Sequence, residues 1–362
     1  MGVTIAGWQQ ELIDTLHLRG MLTTTSLSDG CNLTPSDAAI EPASQPVIQL
    51  GSDPAMHLGS GLVDLSSDPL ISPGSGAVHL SSDLVMPPGS GAVHFSSSPV
   101  AFSSSPAFLL RFAESSKLVL HLIPIAHHFI PADLLKLQES FQSNGQQLIQ
   151  LWEDVWRKRP AQVLSRIAAM LGKNKTVHGR KTKVIPVTQV EADRFFAQYH
   201  LQFSAKARHR FALHQDGEVV AMASFSAKRN MTRKREGYTS VELIRFATVD
   251  GITVQGGLSK LIRHMIKTIS PDDVMTYADL DWSYGKGYTK LGFEMTAQTP
   301  PAEIWINTET LVRYFPQRLP EDIQGLIANL APQEASGVME PLGYRLIYNT
   351  GNLKYILYLS AE

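Results

Sequence analysis

Two adjacent glycines, Gly256-Gly257, stand between an apolar run, Val241–Val249, and an amphipathic stretch, Leu258–Ile269. A strand that feeds bare glycines into a helix lets backbone N–H groups approach an anion, and the helix N-terminus adds partial positive charge there. A tight turn uses the same residue type, so the pair alone leaves both readings open. The candidate loop comprises Gln255, Gly256, Gly257, Leu258, Ser259 and Lys260. Downstream come Tyr277-Ala278-Asp279, Trp282-Ser283-Tyr284 and Tyr288-Thr289-Lys290-Leu291-Gly292-Phe293. These bring a carboxylate and phenols of the types that move protons in general acid–base chemistry. The competing readings are a turn carboxylate at Asp279 and plain packing of Tyr288 beneath Gly292-Phe293.

Charge is the second concentration of chemistry. The formal net charge is −1, yet residues 1–110 hold nine acids against Arg19 alone, while residues 157–235 hold eighteen Lys/Arg against four acids. Nine of those bases, Arg180 and Lys181 among them, lie between Arg157 and Val190 without an intervening acid. Such a stretch attracts phosphate backbones in a salt-dependent way, or forms a solvated basic linker. A polyanion such as a nucleic acid is therefore the expected partner. The single cysteine, Cys31, rules out an intrachain disulfide and a Cys-based zinc site, and no metal site is read. No apolar run approaches the ~18 residues a membrane helix needs. The N-terminus also lacks the basic-then-apolar order of an export signal, so a cytoplasmic protein away from membranes is expected.

These residues need elements to position them. From about 47 to 98 the chain repeats every fifteen residues, with Gly59-Ser60-Gly61-Leu62-Val63 returning at Gly74 and Gly89. Its Ser/Gly/Pro composition favours disorder over a small solenoid. Order is expected from near Lys117. Leu118–Ile123 and Gln147–Trp152 read as strands, and Pro131–Asn144 and Pro160–Leu171 as helices. A strand at Val184–Val187 and a helix at Glu191–Tyr199 follow. An Asp-Gly hairpin then joins Phe211–His214 to Val219–Phe225. Strands at Val241–Val249, Val274–Leu280 and Glu303–Ile306 alternate with helices at Leu258–Ile269 and Lys286–Leu291. A closing hairpin is expected around Thr350-Gly351-Asn352. The class is α/β (α+β), a mixed twisted sheet with flanking helices. The divisions are a low-complexity 1–110, a small α/β segment at 111–172, a basic linker at 173–183, a central domain at 184–310 and an extension at 311–362.

The order of strand, glycine loop, helix, strand and Tyr288-to-Phe293 ending resembles the GNAT superfamily, with the glycines adjacent rather than spaced. A narrower resemblance links Glu242-Leu243-Ile244-Arg245-Phe246-Ala247, Gly256-Gly257-Leu258-Ser259-Lys260-Leu261 and Tyr277-Ala278-Asp279 to phage Mom-type DNA-modification enzymes. The same segments are similar to the GNAT-like C-terminal domain of Hef-like homing endonucleases. Tyr199-His200-Leu201-Gln202-Phe203, Leu148–Trp156 with Gly179-Arg180-Lys181-Thr182, and Ile347–Leu353 extend that resemblance over roughly 145–360. It implies a GNAT-like fold for 184–310, splayed near Phe246–Val249. It also implies acetyl-CoA or a related acyl-CoA, held by Phe246, Ala247, Thr248 and the loop Gln255 to Lys260. Asp279 aligns with the Asp of the Ala-Asp element and is the implied base. Tyr288 stands at the position that protonates a leaving thiolate, and His200 is a second acid/base candidate. Arg245, Trp282, Ser283 and Tyr284, with Arg180 and Lys181, are the candidate substrate or DNA contacts. Arg245 and Glu242 also read as an internal ion pair.

Mom-type enzymes attach a carbamoylmethyl group to the exocyclic N6 of adenine in DNA, which requires a flipped or single-stranded base. In the endonucleases, the segment like Leu148–Trp156 closes a nuclease domain. Here Glu114, Asp133, Lys136 and Glu139 offer no Asp…Glu-x-Lys arrangement, so Glu153 and Asp154 read as structural. Three functions stay open: a DNA-directed transferase, an N-acetyltransferase of a small amine or protein, and a non-catalytic DNA-binding remnant.

Overall fold

The computed structural model describes residues 6–22, 26–28, 107–112, 115–127, 129–232 and 234–359. The fifteen-residue repeats fall outside the described residues, as do Glu114, His128 and Arg233.

An N-terminal module comprises α1 (Gly7–Leu18), β1 (Ser26–Ser28), β2 (Leu109–Phe112), β3 (Ser115–Ile123), α2 (Pro131–Ser143), β4 (Gln147–Trp152), α3 (Glu153–Lys158) and α4 (Pro160–Met170). Its sheet runs β1-β2-β3-β4. β3 and β4 are parallel, with Leu118 opposite Gln147 and Ile123 opposite Trp152, and α2 makes the crossover. The apolar run Leu118–Ile123 of β3, interrupted only by His121, suits a strand covered on both faces. On one face α1 and α4 bury Trp8, Leu12, Leu16, Val163 and Ile167 against Leu120, Leu122, Ile149 and Leu151. On the other, Leu137 and Phe141 of α2 cover Val119 and Leu148. Two expectations are corrected here. A strand, β2, stands upstream of Lys117, and α1, inside the 1–110 division, is part of a core.

The central unit comprises β5 (Lys175–His178), β6 (Lys183–Pro186), α5 (Gln189–Tyr199), β7 (His209–Gln215), β8 (Glu218–Phe225), β9 (Arg229–Asn230), β10 (Thr239–Thr248), β11 (Ile252–Gln255), α6 (Gly257–Ile269), β12 (Asp273–Asp279), α7 (Lys286–Thr289) and β13 (Glu294–Gln298). The chain then makes β14 (Glu303–Asn307), β15 (Arg313–Tyr314), α8 (Glu321–Ile327), α9 (Pro332–Met339), β16 (Tyr344–Tyr348) and β17 (Asn352–Tyr358). The main sheet has the order β13-β17-β12-β10-β8-β7-β6, with β9 also on β10. This mixed, helix-flanked sheet is the class the sequence patterns point to.

Within that sheet β10 and β12 are the parallel pair, and their ladder is short. It joins Ser240, Val241 and Glu242 to Asp273, Val274 and Met275 and stops. Beyond it each strand keeps only its outer neighbour, β10 following β8 as far as Thr248 and β12 following β17 as far as Asp279. Where they part, the Thr276 hydroxyl donates to the Leu243 carbonyl at 3.0 Å, so the first separated residue still satisfies a buried acceptor. The splay thus opens at Leu243 and Thr276, earlier than the expected Phe246–Val249.

The stretch read as a basic linker carries structure. β5 pairs in parallel with β11, Lys175 to His178 opposite Ile252 to Gln255, and a 3-10 turn follows at Gly179–Lys181. A Cβ on Gly179 would sit 3.1 Å from Gln255 O and from the Gly257 backbone nitrogen, so this turn presses on the back of the glycine loop. The expected closing hairpin is also corrected. β16 pairs with β14 in a separate three-stranded sheet, whereas β17 inserts between β12 and β13. Gly351 makes the change of sheet. Its φ is +88°, and a Cβ there would lie 2.2 Å from the Thr299 carbonyl oxygen. A central domain ending at 310 therefore omits one of its own interior strands. Among the described residues no helix is long and apolar enough to cross a membrane.

Because Leu12 is fully buried between α1 and the first sheet, Leu12→Ala should cost about 2–5 kcal/mol of unfolding free energy. Urea denaturation of the full chain measures it, and an unchanged midpoint would mean that α1 is not part of the core.

Candidate active site

The parting of β10 and β12 opens a cavity of about 630 Å³ whose walls come from every part of the fold. β10 contributes Glu242 to Thr248, β12 contributes Thr276 to Asp279, and α6 contributes Leu258 and Ser259 behind Gly256. The N-terminal module supplies another wall. On α4, Gln162, Ser165, Arg166 and Ala169 line the cavity while Val163, Leu164 and Ile167 face the core, the two stripes of an amphipathic helix.

The glycine loop is built as an open helix end. Gly256 caps α6 at φ 72°, with no side-chain hydrogen bond to the first turn and no atom within 4 Å of where a Cβ would stand. Anions are favoured at such a terminus. Gly257 is needed for a different reason. A Cβ there would meet Val254 Cγ1 at 2.7 Å and Leu213 Cδ1 at 3.0 Å, so it serves helix–sheet packing and faces away from the cavity lining. Lys260 also points elsewhere, its ammonium bonding the carbonyls of Gly179 (3.0 Å) and Thr182. Gln255 pairs with His178 in the β11–β5 ladder. Of the loop residues expected to hold a cofactor, Gly256, Leu258 and Ser259 reach the cavity, together with Phe246, Ala247 and Thr248 of β10.

Asp279, Tyr288 and His200 all line this cavity. Asp279 accepts the Asp281 backbone N–H at 3.0 Å and lies 3.5 Å from the Gln202 amide. Burial raises its pKa above the ordinary 3.8, against the opposing pull of the Asp281 N–H, Arg313 and Arg166. Asp281 is pushed up to about 7 by burial and then by the charge of Asp279. Its Oδ1 accepts from the Thr350 N–H (2.8 Å) and hydroxyl (2.6 Å), which ties the site to the β16–β17 crossing. The Tyr288 ring packs at a tilt against Phe293 and Tyr355, with ring centres 5.6 Å apart in each case. Burial raises its pKa, with Thr276 and Arg166 opposing, so the phenol stays protonated at neutral pH. His200 ends α5 with Nδ1 accepting the Gln202 N–H at 2.9 Å. Burial and the nearby Arg245 drive its pKa well below 6.5, so it stands neutral.

Several expected contacts have other work. Arg245 is buried, donating to the carbonyls of Phe203 (3.1 Å) and Ile244 (2.9 Å), and burial brings its pKa down to about 10. The carboxylate of Glu242 meets Arg229 at 3.5 Å. Trp282 and Tyr284, read as candidate substrate or DNA contacts, are both buried, and Trp282 also lines the cavity. Trp282 packs into the N-terminal core, and the Tyr284 hydroxyl donates to Gln138 O at 3.3 Å. Ser283 accepts the Gly285 N–H at 3.1 Å. Arg180 and Lys181 are exposed and outside the cavity lining. The basic stretch is partly consumed by structure, since Arg157 pairs with Glu153, and Lys234 and Arg235 pair with Asp273 and Asp272. Glu153 and Asp154 are structural: Glu153 accepts the Ile125 N–H at 3.0 Å, and Asp154 takes two bonds from Arg313 at 2.6 and 2.8 Å.

The sequence reading missed Arg159, Arg166, Asp281 and Arg313. Arg166 had a local signal, its place in the polar stripe of α4, but only the docking of the module turns that stripe inward. Among the described residues no group of His, Cys, Asp and Glu is arranged to hold a metal ion.

No family model matches the chain, and no curated protein matches it. Solved structures similar to it include a GNAT family acetyltransferase from Elizabethkingia anophelis with acetyl-CoA bound, 14% identical over 49% of this chain and 99% of that one, at a TM-score of 0.27. The ribosomal-protein-S18-alanine N-acetyltransferase from Escherichia coli is 12% identical over 50% and 96%, at 0.29. A putative acetyltransferase from Salmonella typhimurium with its cofactor acetyl-CoA is 14% identical over 50% and 96%, at 0.28. At such scores the functional reading rests on the residues of the cavity.

The raised pKa of Asp281 has a measurable consequence. The folded chain keeps a proton that the unfolded chain releases above the ordinary 3.8, so this contribution is full below that value and is lost as pH rises to about 7. His121, held at about 4 by burial, acts oppositely, because the unfolded chain binds its proton below 6.5. Asp281→Asn keeps an acceptor for Thr350 and removes only the first effect. Relative to wild type, the variant should therefore gain stability as pH rises from about 4 to about 7, by roughly 1–3 kcal/mol. Paired denaturation curves across that range test it, and a pH-independent difference would show that Asp281 does not titrate with folding.

Proposed function

We propose that this chain is an acyl-CoA-dependent N-acyltransferase in which Asp279 deprotonates the acceptor amine. The observation that carries this reading is the splay itself. One cavity holds an uncapped helix N-terminus, the separated edge of β10, and a carboxylate and a protonated phenol at the other strand. The residues fit the cofactor. The bare Gly256 and first turn of α6 would hold the pyrophosphate, and Phe246 to Thr248 would flank the pantetheine. When bound, acyl-CoA supplies an acyl group activated as a thioester. Asp279 takes the proton that the amine nitrogen loses as its lone pair attacks the thioester carbon, and the Tyr288 hydroxyl protonates the departing sulfur. A carboxylate raised above 3.8 by burial is the stronger base for this step, and its rate should climb with pH as that proton leaves.

Ser259→Glu tests the anion site without endangering the helix, since an acid in the first turn stabilises α6 while repelling a pyrophosphate. Calorimetry should show CoA binding lost and the melting temperature kept or raised. Asp279→Asn should bind CoA normally and lose about 10²–10⁴-fold in turnover. If wild type binds no CoA, the reading fails.

A narrower acceptor, an exocyclic base amine in DNA, is favoured by one feature: Arg180, Lys181 and Lys183 stand exposed beside the turn that braces the glycine loop. Reversing the charge of Arg180 and Lys181 should then weaken DNA binding and reduce the slope of log K against log salt by about one unit per lost contact. Mass spectrometry of nucleosides from cells overexpressing the protein should show a modified adenine, and unmodified DNA would leave the amine acceptor to other molecules.

A further inference from the structure

Two guanidinium groups in the cavity take no part in the steps above. Arg166 stands on the inward stripe of α4, exposed to the cavity, and makes no hydrogen bond or ion pair with the described residues. Arg159, at the start of the same helix, is only 8% exposed. It spends one nitrogen on the Ala197 carbonyl and lays its face on the Phe203 ring, 3.6 Å from the ring centre. Its Nη2 is buried with no partner. A buried donor left unpaired costs about 1–3 kcal/mol, more when charged, so a turn of this guanidinium toward an acceptor in the cavity is favoured. Both side chains act electrostatically on His200, and Arg166 acts on Asp279 and Tyr288, which puts this pair at the reacting end of the cavity.

Of the four acids lining the cavity, Asp279 acts on Arg166, and the other three are engaged elsewhere. Six cationic side chains line the cavity, Lys158, Arg159, Arg166, Arg245, Lys290 and Arg313, against four acids. Of the acids, Asp154 is held by Arg313 and Glu242 meets Arg229, while Asp281 accepts from Thr350. Guanidinium forks match planar or tetrahedral oxyanions, and a cavity of about 630 Å³ is the size of a small-molecule site. We infer that Arg159 and Arg166 hold a carboxylate or phosphate on a small acceptor whose amine reaches Asp279. This rests on the transferase reading and narrows its substrate to an anionic amine.

Calorimetry on the full chain with CoA present tests it, using glutamate and O-phosphoethanolamine as anionic amines and n-butylamine as the anion-free control. One anionic amine should bind, identifying the group as carboxylate or phosphate, and n-butylamine should bind at least about tenfold more weakly. Arg166→Gln, on an exposed helix position, should weaken the anionic amine about tenfold or more. The variant should bind CoA as wild type does, and Arg166→Lys should restore part of the loss. If CoA binds but neither anionic amine does, or Arg166→Gln leaves their affinity unchanged, the inference is overturned and the transferase reading stands. If CoA does not bind, the transferase reading falls, and the same titrations without CoA decide the anion site. A single-stranded oligodeoxyadenylate that displaces the amines and depends on Arg166 would give the pair to a nucleic-acid phosphate and overturn the small-acceptor assignment.

Discussion

The parting of two parallel strands after three paired residues is the constraint on which the rest of the molecule depends. Strands in a sheet stay paired unless their freed backbone groups find other partners. Here β10 and β12 can separate because each is held along its outer edge, by β8 and by β17, out to its last residue. The Thr276 hydroxyl covers the Leu243 carbonyl at the fork. Everything chemical follows from that opening: it exposes the edge of β10, gives the first turn of α6 a space to face, and sets Asp279 on a strand end inside the protein. The outer neighbour of β12 is therefore as necessary as the glycine loop. β17 arrives from a different sheet through Thr350 and Gly351, and Thr350 bonds the same carboxylate, Asp281, that lies beside Asp279.

The N-terminal module closes the opening. Its docking is a run of polar contacts with the segment after β12. Gln150 N–H donates to the Asp281 carbonyl at 2.8 Å, the Gln147 amide to the Trp282 carbonyl at 2.9 Å, and the Gln138 amide to the Leu280 carbonyl. Trp282 inserts into the module's core. These bonds explain Gln138 of α2 and Gln147 of β4, whose side chains satisfy backbone groups that docking would otherwise bury unpaired.

What was legible in the sequence was local. The alternation in Phe211–His214 and Val219–Phe225 around Asp216-Gly217, the apolar face of α6 and the glycines at its start each report on a few neighbouring residues, and each matches an observed element. Asp279, Tyr288 and His200 were named from a motif order, and the fold brings them to one cavity. The failures were non-local. Nothing within Tyr344–Tyr358 distinguishes a hairpin from two strands in different sheets, because the deciding contact is Gly351 against Thr299. The pairing of β5 with β11 joins residues more than seventy positions apart, so 173–183 read as a linker. A run of lysines and arginines likewise reads as one patch until the fold sends Arg159 and Arg166 inward, Arg157 to Glu153, and Arg180 to the surface.

That dispersal sets the electrostatics of the cavity. Burial alone pushes Asp279 and Asp281 toward the neutral acid, and two carboxylates so close in sequence oppose each other's ionisation. Arg313 pulls on both carboxylates and Arg166 on Asp279, in the opposite sense, and Arg313 is itself anchored by two bonds to Asp154. The module therefore does more than close the space. Through α4 it supplies Arg166, and through Asp154 of α3 it anchors Arg313, the two charges that oppose the upward shift of Asp279. An arginine lost from this wall would thus leave Asp279, the proposed base, protonated to higher pH and would also loosen any anion held there, and the two effects separate by pH. Raising the pH restores an unprotonated Asp279, whereas it returns no guanidinium to the anion.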